Sequence, residues 1–241
     1  MAIHGRYTRI FVNQFALAGV SNSVQLQLPI GSLDATNFES TAQEWIATIG
    51  NAQLVHAGYL HGKTTGLEQA LYNGMTTPAY VAALFGTAAT KCPAYVLQQS
   101  YAGQLTIDAP ADGVVAVNGN WLGGSGGGIK RGYRVFTGTI SGTGGQTGTD
   151  WTTAGTAGGY AWLFVTAIVG TATNATITVE SDTVSNFATA ATEGTFTFSA
   201  VGGYQIALSG TVNRYIRLNL TSLGGATSVT VMGVVALTGH S

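Results

Sequence analysis

The sequence predicts a mainly β protein: a β-sandwich or barrel with a short flanking helix, followed by a second antiparallel β-sandwich half. Three observations carry this. Short apolar, β-branched runs recur along the 241 residues, many alternating with Thr, Ser or Gln. The 35 glycines, set against 4 prolines, punctuate those runs instead of replacing them. Helical spacing is confined to two short segments of the first half.

Taken in order, Val24, Leu26 and Leu28 alternate with Gln25 and Gln27, the pattern of a half-buried strand. Ser40 to Gly50 reads as a short helix. Ser40 and Thr41 are candidate N-caps, each followed three residues later by Gln43 or Glu44. Ala42, Trp45, Ile46 and Ile49 supply a buried face, and Gly50 a stop. A strand is expected at 52–61. A second helix begins near Thr65, with Thr65 and Glu68 as a capping box, Leu67, Ala70 and Leu71 as the apolar stripe, and Gly74 as its end. Strands are expected at 79–85, 94–101, 104–107 and 114–121.

Gly123 to Gly128 holds five glycines and one serine, the composition of a tether or loop. It divides the chain into expected domains 1–128 and 129–241. A Gly/Thr-rich stretch covers 137–159. Beyond it, Trp162, Phe164, Thr166 and Ile168 alternate with Ala161, Leu163, Val165 and Ala167. Both faces are apolar, which predicts a central strand covered on both sides. Strands at 175–180, 195–198, 204–208, 214–220 and 229–237 complete an antiparallel sandwich.

Charge is scarce. Asp, Glu, Lys and Arg make up 8% of the chain, against 45% hydrophobic residues, and the net charge is −1. Average proteins are about 25% charged. A surface covered by Thr, Ser, Asn, Gln and Gly costs little to desolvate and suits faces that pack against copies of the same chain. The basic footprint of a nucleic-acid-gripping protein is missing. Cys92 is the one cysteine, which excludes an intrachain disulfide. The segment 1–6 lacks the apolar core of a signal peptide, and no run approaches the roughly 18 apolar residues of a membrane helix. Synthesis in a cytoplasm, without membrane insertion, is the expectation.

The search for chemistry ends in structural readings. Gly123-Gly124-Ser125-Gly126-Gly127 matches a nucleophile elbow in letters, with Asp150, Asp182 and His240 following in hydrolase order, but no helix follows Ser125. His56 and His61, five apart, fall on opposite faces of one strand and do not share a metal. Asp108-Ala109-Pro110-Ala111-Asp112-Gly113 is a turn more economically than a carboxylate pair, and Asp182 has the same reading. Cys92 reads as a buried thiol and His4 as a solvated terminal residue. No cofactor motif is present.

Seven cations are the candidate assembly contacts. Lys130, Arg131 and Arg134 form the densest basic group: either a contact with an acidic partner or a solvated strand start. Arg214 and Arg217 flank Tyr215 and Ile216, and either form ion pairs between subunits or shield an edge strand. Arg6 and Arg9 lie in an N-terminal arm expected to be mobile and to order on assembly.

Several segments together carry a resemblance. Val20-Ser21-Asn22-Ser23-Val24 is followed by Asp34-Ala35-Thr36-Asn37-Phe38-Glu39-Ser40, then Ala57-Gly58-Tyr59-Leu60-His61-Gly62. Later come Gly159-Tyr160-Ala161-Trp162-Leu163-Phe164-Val165 and Gly210-Thr211-Val212-Asn213-Arg214-Tyr215-Ile216-Arg217. As an ordered set they resemble the major tail tube proteins of long-tailed bacteriophages. The resemblance implies a tail-tube-type β-sandwich or barrel, subunits closing into hexameric rings, and rings stacked into a channel through which DNA passes during ejection. It implies a virion location, partners among the other tail proteins and the chain itself, and no catalytic residue. The family's lumens tend to be acidic, whereas this chain has few acids to line one. A second expectation is a carbohydrate-binding, receptor-binding or decoration β-sandwich module of a virion, with Trp121, Trp151, Trp162 and Tyr204 as candidate stacking platforms.

Overall fold

The computed structural model describes residues 7–17, 19–28, 32–34, 45–47, 52–60, 66–86, 91–123 and 128–239. Among them the chain is mainly β. In order come β1 (Thr8–Val12), β2 (Phe15–Ala16), β3 (Ser21–Gln27), β4 (Ser32–Asp34), β5 (Trp45–Ala47), β6 (Gln53–Tyr59), α1 (Leu67–Gly74) and β7 (Ala79–Phe85). The long β8 (Cys92–Asp108), β9 (Ala116–Leu122) and β10 (Ile129–Ile140) follow, then β11 (Gly144–Gly145), β12 (Thr149–Asp150), β13 (Gly159–Gly170) and β14 (Ala175–Asp182). The last four are β15 (Ala191–Phe198), β16 (Gly202–Leu208), β17 (Tyr215–Ser222) and β18 (Ala226–Leu237). No described helix is long and apolar enough to cross a membrane.

Two compact units are each assembled from separated stretches. The larger takes Met1–Gly19, Ala79–Val96 and Lys130–Ser241; the smaller takes Val20–Pro78 and Leu97–Ile129.

In the larger unit the strand order is β16-β13-β18-β10-β8-β7-β1-β2. The sheet curls until Gly203 on β16 lies against Asn13 and Tyr80, at the other end of that order. Trp162, Phe164, Met232, Val234, Leu84 and Ala94 fill the resulting core. A second sheet, ordered β11-β17-β14-β15 with β12 also on β17, supplies a second core. There Leu163, Val165 and Val231 meet Ile177, Val179, Leu218, Leu220 and Phe196. Alternation along β13 therefore feeds two cores at once, as two apolar faces predict. Coverage holds for Ala161–Val165, whereas Ala167 and Val169 are exposed. Gly233 on β18 leaves the space that Leu218 fills: a Cβ there would sit 2.6 Å from Leu218 Cδ1.

In the smaller unit β3, β6, β9 and the second part of β8 pair antiparallel. Helix α1 buries Leu67, Ala70, Leu71 and Gly74, and Leu71 lies against β9 at Gly119. Leu54, His56 and Trp121 are fully buried in this unit.

Several expectations are corrected. The helix expected over 40–50 is contradicted at Trp45–Ala47, which pairs antiparallel with Ser32–Asp34; the remainder lies outside the described residues. Trp and Ile favour a pleated surface, and strand pairing overrides the helical spacing of four apolar residues. The second helix stands, but its N-cap is Gly66 with no side-chain cap, and Met75, not a left-handed glycine, is its C-cap. The strands expected at 94–101 and 104–107 are one strand, irregular between Ala102 and Gln104. The expected mobile arm is strand from Thr8 onward, paired with β7 from Thr8↔Phe85 to Val12↔Val81. Ile10 and Val12 bury on one face of it.

Candidate assembly surface

The seven candidate cations fall into different settings. Arg6 lies outside the described residues. Arg9 is exposed on β1, where its guanidinium donates to the Thr8 carbonyl at 3.1 Å. Arg214 donates twice to Asp150, 2.7 Å on each oxygen, and lies 5.0 Å from the Tyr215 ring. These hydrogen bonds hold the Asp150 carboxyl well below the usual carboxylate range, and the backbone N–H of Thr152 adds to the effect. Arg217 donates to Glu180 at 2.8 Å and lies 4.2 Å from the Phe187 ring. Glu180 also accepts from Asn219 at 2.6 Å. Both arginines are thus held by carboxylates of their own chain, Arg217 on β17 and Arg214 just before its first residue; β17 neighbours β14, β11 and β12 and is not an edge.

The remaining three sit on β10. Arg131 is exposed, Lys130 half-buried, and Arg134 buried at 8% exposure. Lys130 lies 5.6 Å from the Tyr160 ring and Arg131 5.8 Å from that of Tyr133. Lys91 joins them: its Nζ is 6.0 Å from the Tyr133 ring and donates to Thr152 Oγ1 at 3.0 Å, and its backbone N–H donates to the Arg134 carbonyl. Among the described residues none of Lys91, Lys130, Arg131 and Arg134 forms an ion pair, and Arg134 Nε has no hydrogen-bond partner. Burial pulls the Arg134 guanidinium below its ordinary value.

Charge divides by unit. The larger unit carries eight basic and four acidic residues, net +4; the smaller carries one lysine and six acidic residues, net −5. The near-zero total hides two opposed halves. Exposed apolar side chains divide as well. Of the eleven large ones among the described residues, eight belong to the smaller unit: Leu28, Tyr59, Leu60, Tyr72, Met75, Tyr101, Ile107 and Val114. Among the described residues its outermost strand, β3, pairs with β6 alone, carries neither charge nor proline, and is irregular between Ser21 and Ser23. Charge and proline are among the devices that guard the edges of soluble monomers.

The candidate chemical groups are placed as follows. Ser125, His61, His4 and His240 lie outside the described residues. No described group of three His, Cys, Asp or Glu could hold a metal ion. Cys92 is buried in the first core, and burial raises its thiol. Asp108 and Asp112 flank an exposed turn between β8 and β9. Asp182 is buried, which opposes its ionisation. Hydrogen bonds from the Thr189, Val184 and Thr183 backbones and the Thr189 hydroxyl outweigh that and hold its carboxyl below the usual range. His56 shares a 2.5 Å hydrogen bond with Ser21 Oγ, and burial pushes it down to about 4. Trp121, Trp151 and Trp162 are buried at 0%, 4% and 1% exposure, so none is a platform for a sugar ring. Sequence reasoning passed over Lys91, which reaches the β10 cations only through the pairing of distant strands.

No protein-family model matches the chain, and no curated protein matches its sequence. Solved structures to which the chain is similar match it at low identity. One is a chain of the virion of a native gene transfer agent particle: 10% identity, 53% of this chain and 98% of that chain, TM-score 0.44. A tail chain of the empty gene transfer agent particle, refined with C6 symmetry, gives 14%, 52%, 96% and 0.40. The SPP1 Dit protein of a phage hub adsorption apparatus gives 13% identity, 94% of this chain, 98% of that chain and a TM-score of 0.33.

Proposed function

We propose that this chain is a structural subunit of a bacteriophage tail tube, closing with copies of itself into stacked rings, hexameric by the resemblance of its sequence segments, around a channel for DNA. Its partners are then its own copies and other tail proteins, and its place is the virion tail. The observation that carries the reading is the smaller unit. Among the described residues it holds eight exposed large apolar side chains and an edge strand without charge or proline. Exposed apolar side chains gathered on one unit favour contact with other protein where they adjoin. The 8% charge of the whole chain supports the same reading, because interface cores are depleted of ions. Against Arg214 and Arg217, which carboxylates of their own chain hold, Lys130, Arg131 and Arg134 form no ion pair among the described residues.

Negative-stain electron microscopy of the concentrated protein tests this. Rings or tubes with a central channel are expected. Separate particles of monomer size at every concentration would refute it.

A further inference from the structure

We propose that the cationic segment of β10 receives the acidic tip of the β8–β9 hairpin of a second copy of this chain. The inference rests on the tail-tube reading and names the contact by which one subunit engages the next.

Arg134 is the starting point. It is 8% exposed, meets no carboxylate among the described residues, and keeps a buried Nε without a partner. A buried cation is costly unless an anion reaches it. Lys130 and Arg131 extend from the two faces of the start of the same strand and rest near tyrosine rings instead of carboxylates. The larger unit has no acid to spare: Asp150 and Glu180 hold Arg214 and Arg217, Asp182 is buried in its own loop, and Glu193 accepts from Ser181.

The smaller unit supplies the complement. Its net charge is −5. Asp108 and Asp112 are exposed and frame the turn Ala109-Pro110-Ala111, a small tip with little side-chain freedom to lose on docking. Ile107 and Val114, beside the tip, are 49% and 67% exposed, so docking would also remove apolar surface from water. Neither aspartate forms an ion pair among the described residues. Two different complementary surfaces on one chain allow a head-to-tail contact. Such a contact propagates from copy to copy and closes into a ring or continues as a filament.

The test is a charge swap. Lys130→Glu/Arg131→Glu gives one variant, acidic at both surfaces; Asp108→Lys/Asp112→Lys gives another, basic at both. Thermal melting confirms that each folds as the wild type does. Alone, each should require about a tenfold or higher concentration to assemble, as like charges now face each other. Mixed in equal amounts, they should assemble near the wild-type concentration, because each tip then meets a strand start of opposite charge. Variants that assemble as the wild type does, or a mixture as dispersed as its components, overturn the proposal and leave the tail-tube reading standing. Wild-type assembly with the basic-face variant losing only its retention of duplex DNA also overturns it, by assigning the cations to nucleic acid. A wild type that never assembles overturns both.

Discussion

Gly74, the last residue of α1, abuts the indole of Trp121 so closely that a Cβ on Gly74 would fall inside the ring's van der Waals surface. Trp121 is fully buried and cannot swing outward. Gly74→Ala should therefore destabilise the protein by about 1–3 kcal/mol through overpacking, although alanine is the better helix former by about 1 kcal/mol. Urea denaturation reads the sign. A stabilised variant would mean that helix propensity outweighs the clash.

The two ion-paired arginines should behave differently. Arg217 and Glu180 side chains are 21% and 11% exposed, and Arg217 also covers Phe187. Arg217→Ala should cost about 1–3 kcal/mol, since it leaves Glu180 largely buried without its cation. The side chains of Arg214 and Asp150 are 44% and 43% exposed, and water screens that pair. Arg214→Ala should leave the urea midpoint nearly unchanged. Equal effects in the two variants would contradict the burial argument.

His56 predicts an acid-sensitive stability. Its folded value of about 4 lies below the ordinary 6.5, so the unfolded chain binds the proton more readily between those two limits. The contribution is complete above pH 6.5 and disappears as pH falls towards 4, a loss of roughly 3 kcal/mol. Asp150 and Asp182, both held below the ordinary 3.8, lose theirs only at lower pH. Denaturation midpoints across pH 4–7.5 should slope for the wild type and flatten for His56→Gln.

Leu163 and Trp162 are neighbours in sequence that serve opposite cores. Leu163→Ala should cost about 2–5 kcal/mol by opening a cavity between the two sheets of the larger unit. Hydrogen exchange should show added opening in β14 and β17, which that side chain's core includes. Exchange unchanged there would place Leu163 outside the shared core.

Much of this was legible in sequence because the relevant forces are local. The strand at 79–85 follows from its unbroken apolar run, and the apolar stripe of α1 and the two-faced β13 from side-chain period. The turn Asn13-Gln14 could have revealed β1 and β2, for Asn13 adopts φ 46 between strands whose Ile10, Val12 and Phe15 are buried. What stayed hidden depends on long-range pairing. Trp45 joins a strand because Asp34 lies opposite it. The carboxylates holding Arg214 and Arg217 come from 64 and 37 residues away. The opposed charges of the two units cannot be seen along the chain, because each unit is assembled from separated stretches.

The central claim is that neighbouring copies cover the apolar surface of the smaller unit. Sedimentation velocity over a wide concentration series tests it most directly. The account predicts a concentration-dependent shift from monomer to a discrete closed oligomer, abolished by Ile107→Lys combined with Tyr72→Lys. A single monomer boundary for the wild type up to millimolar concentration would contradict it.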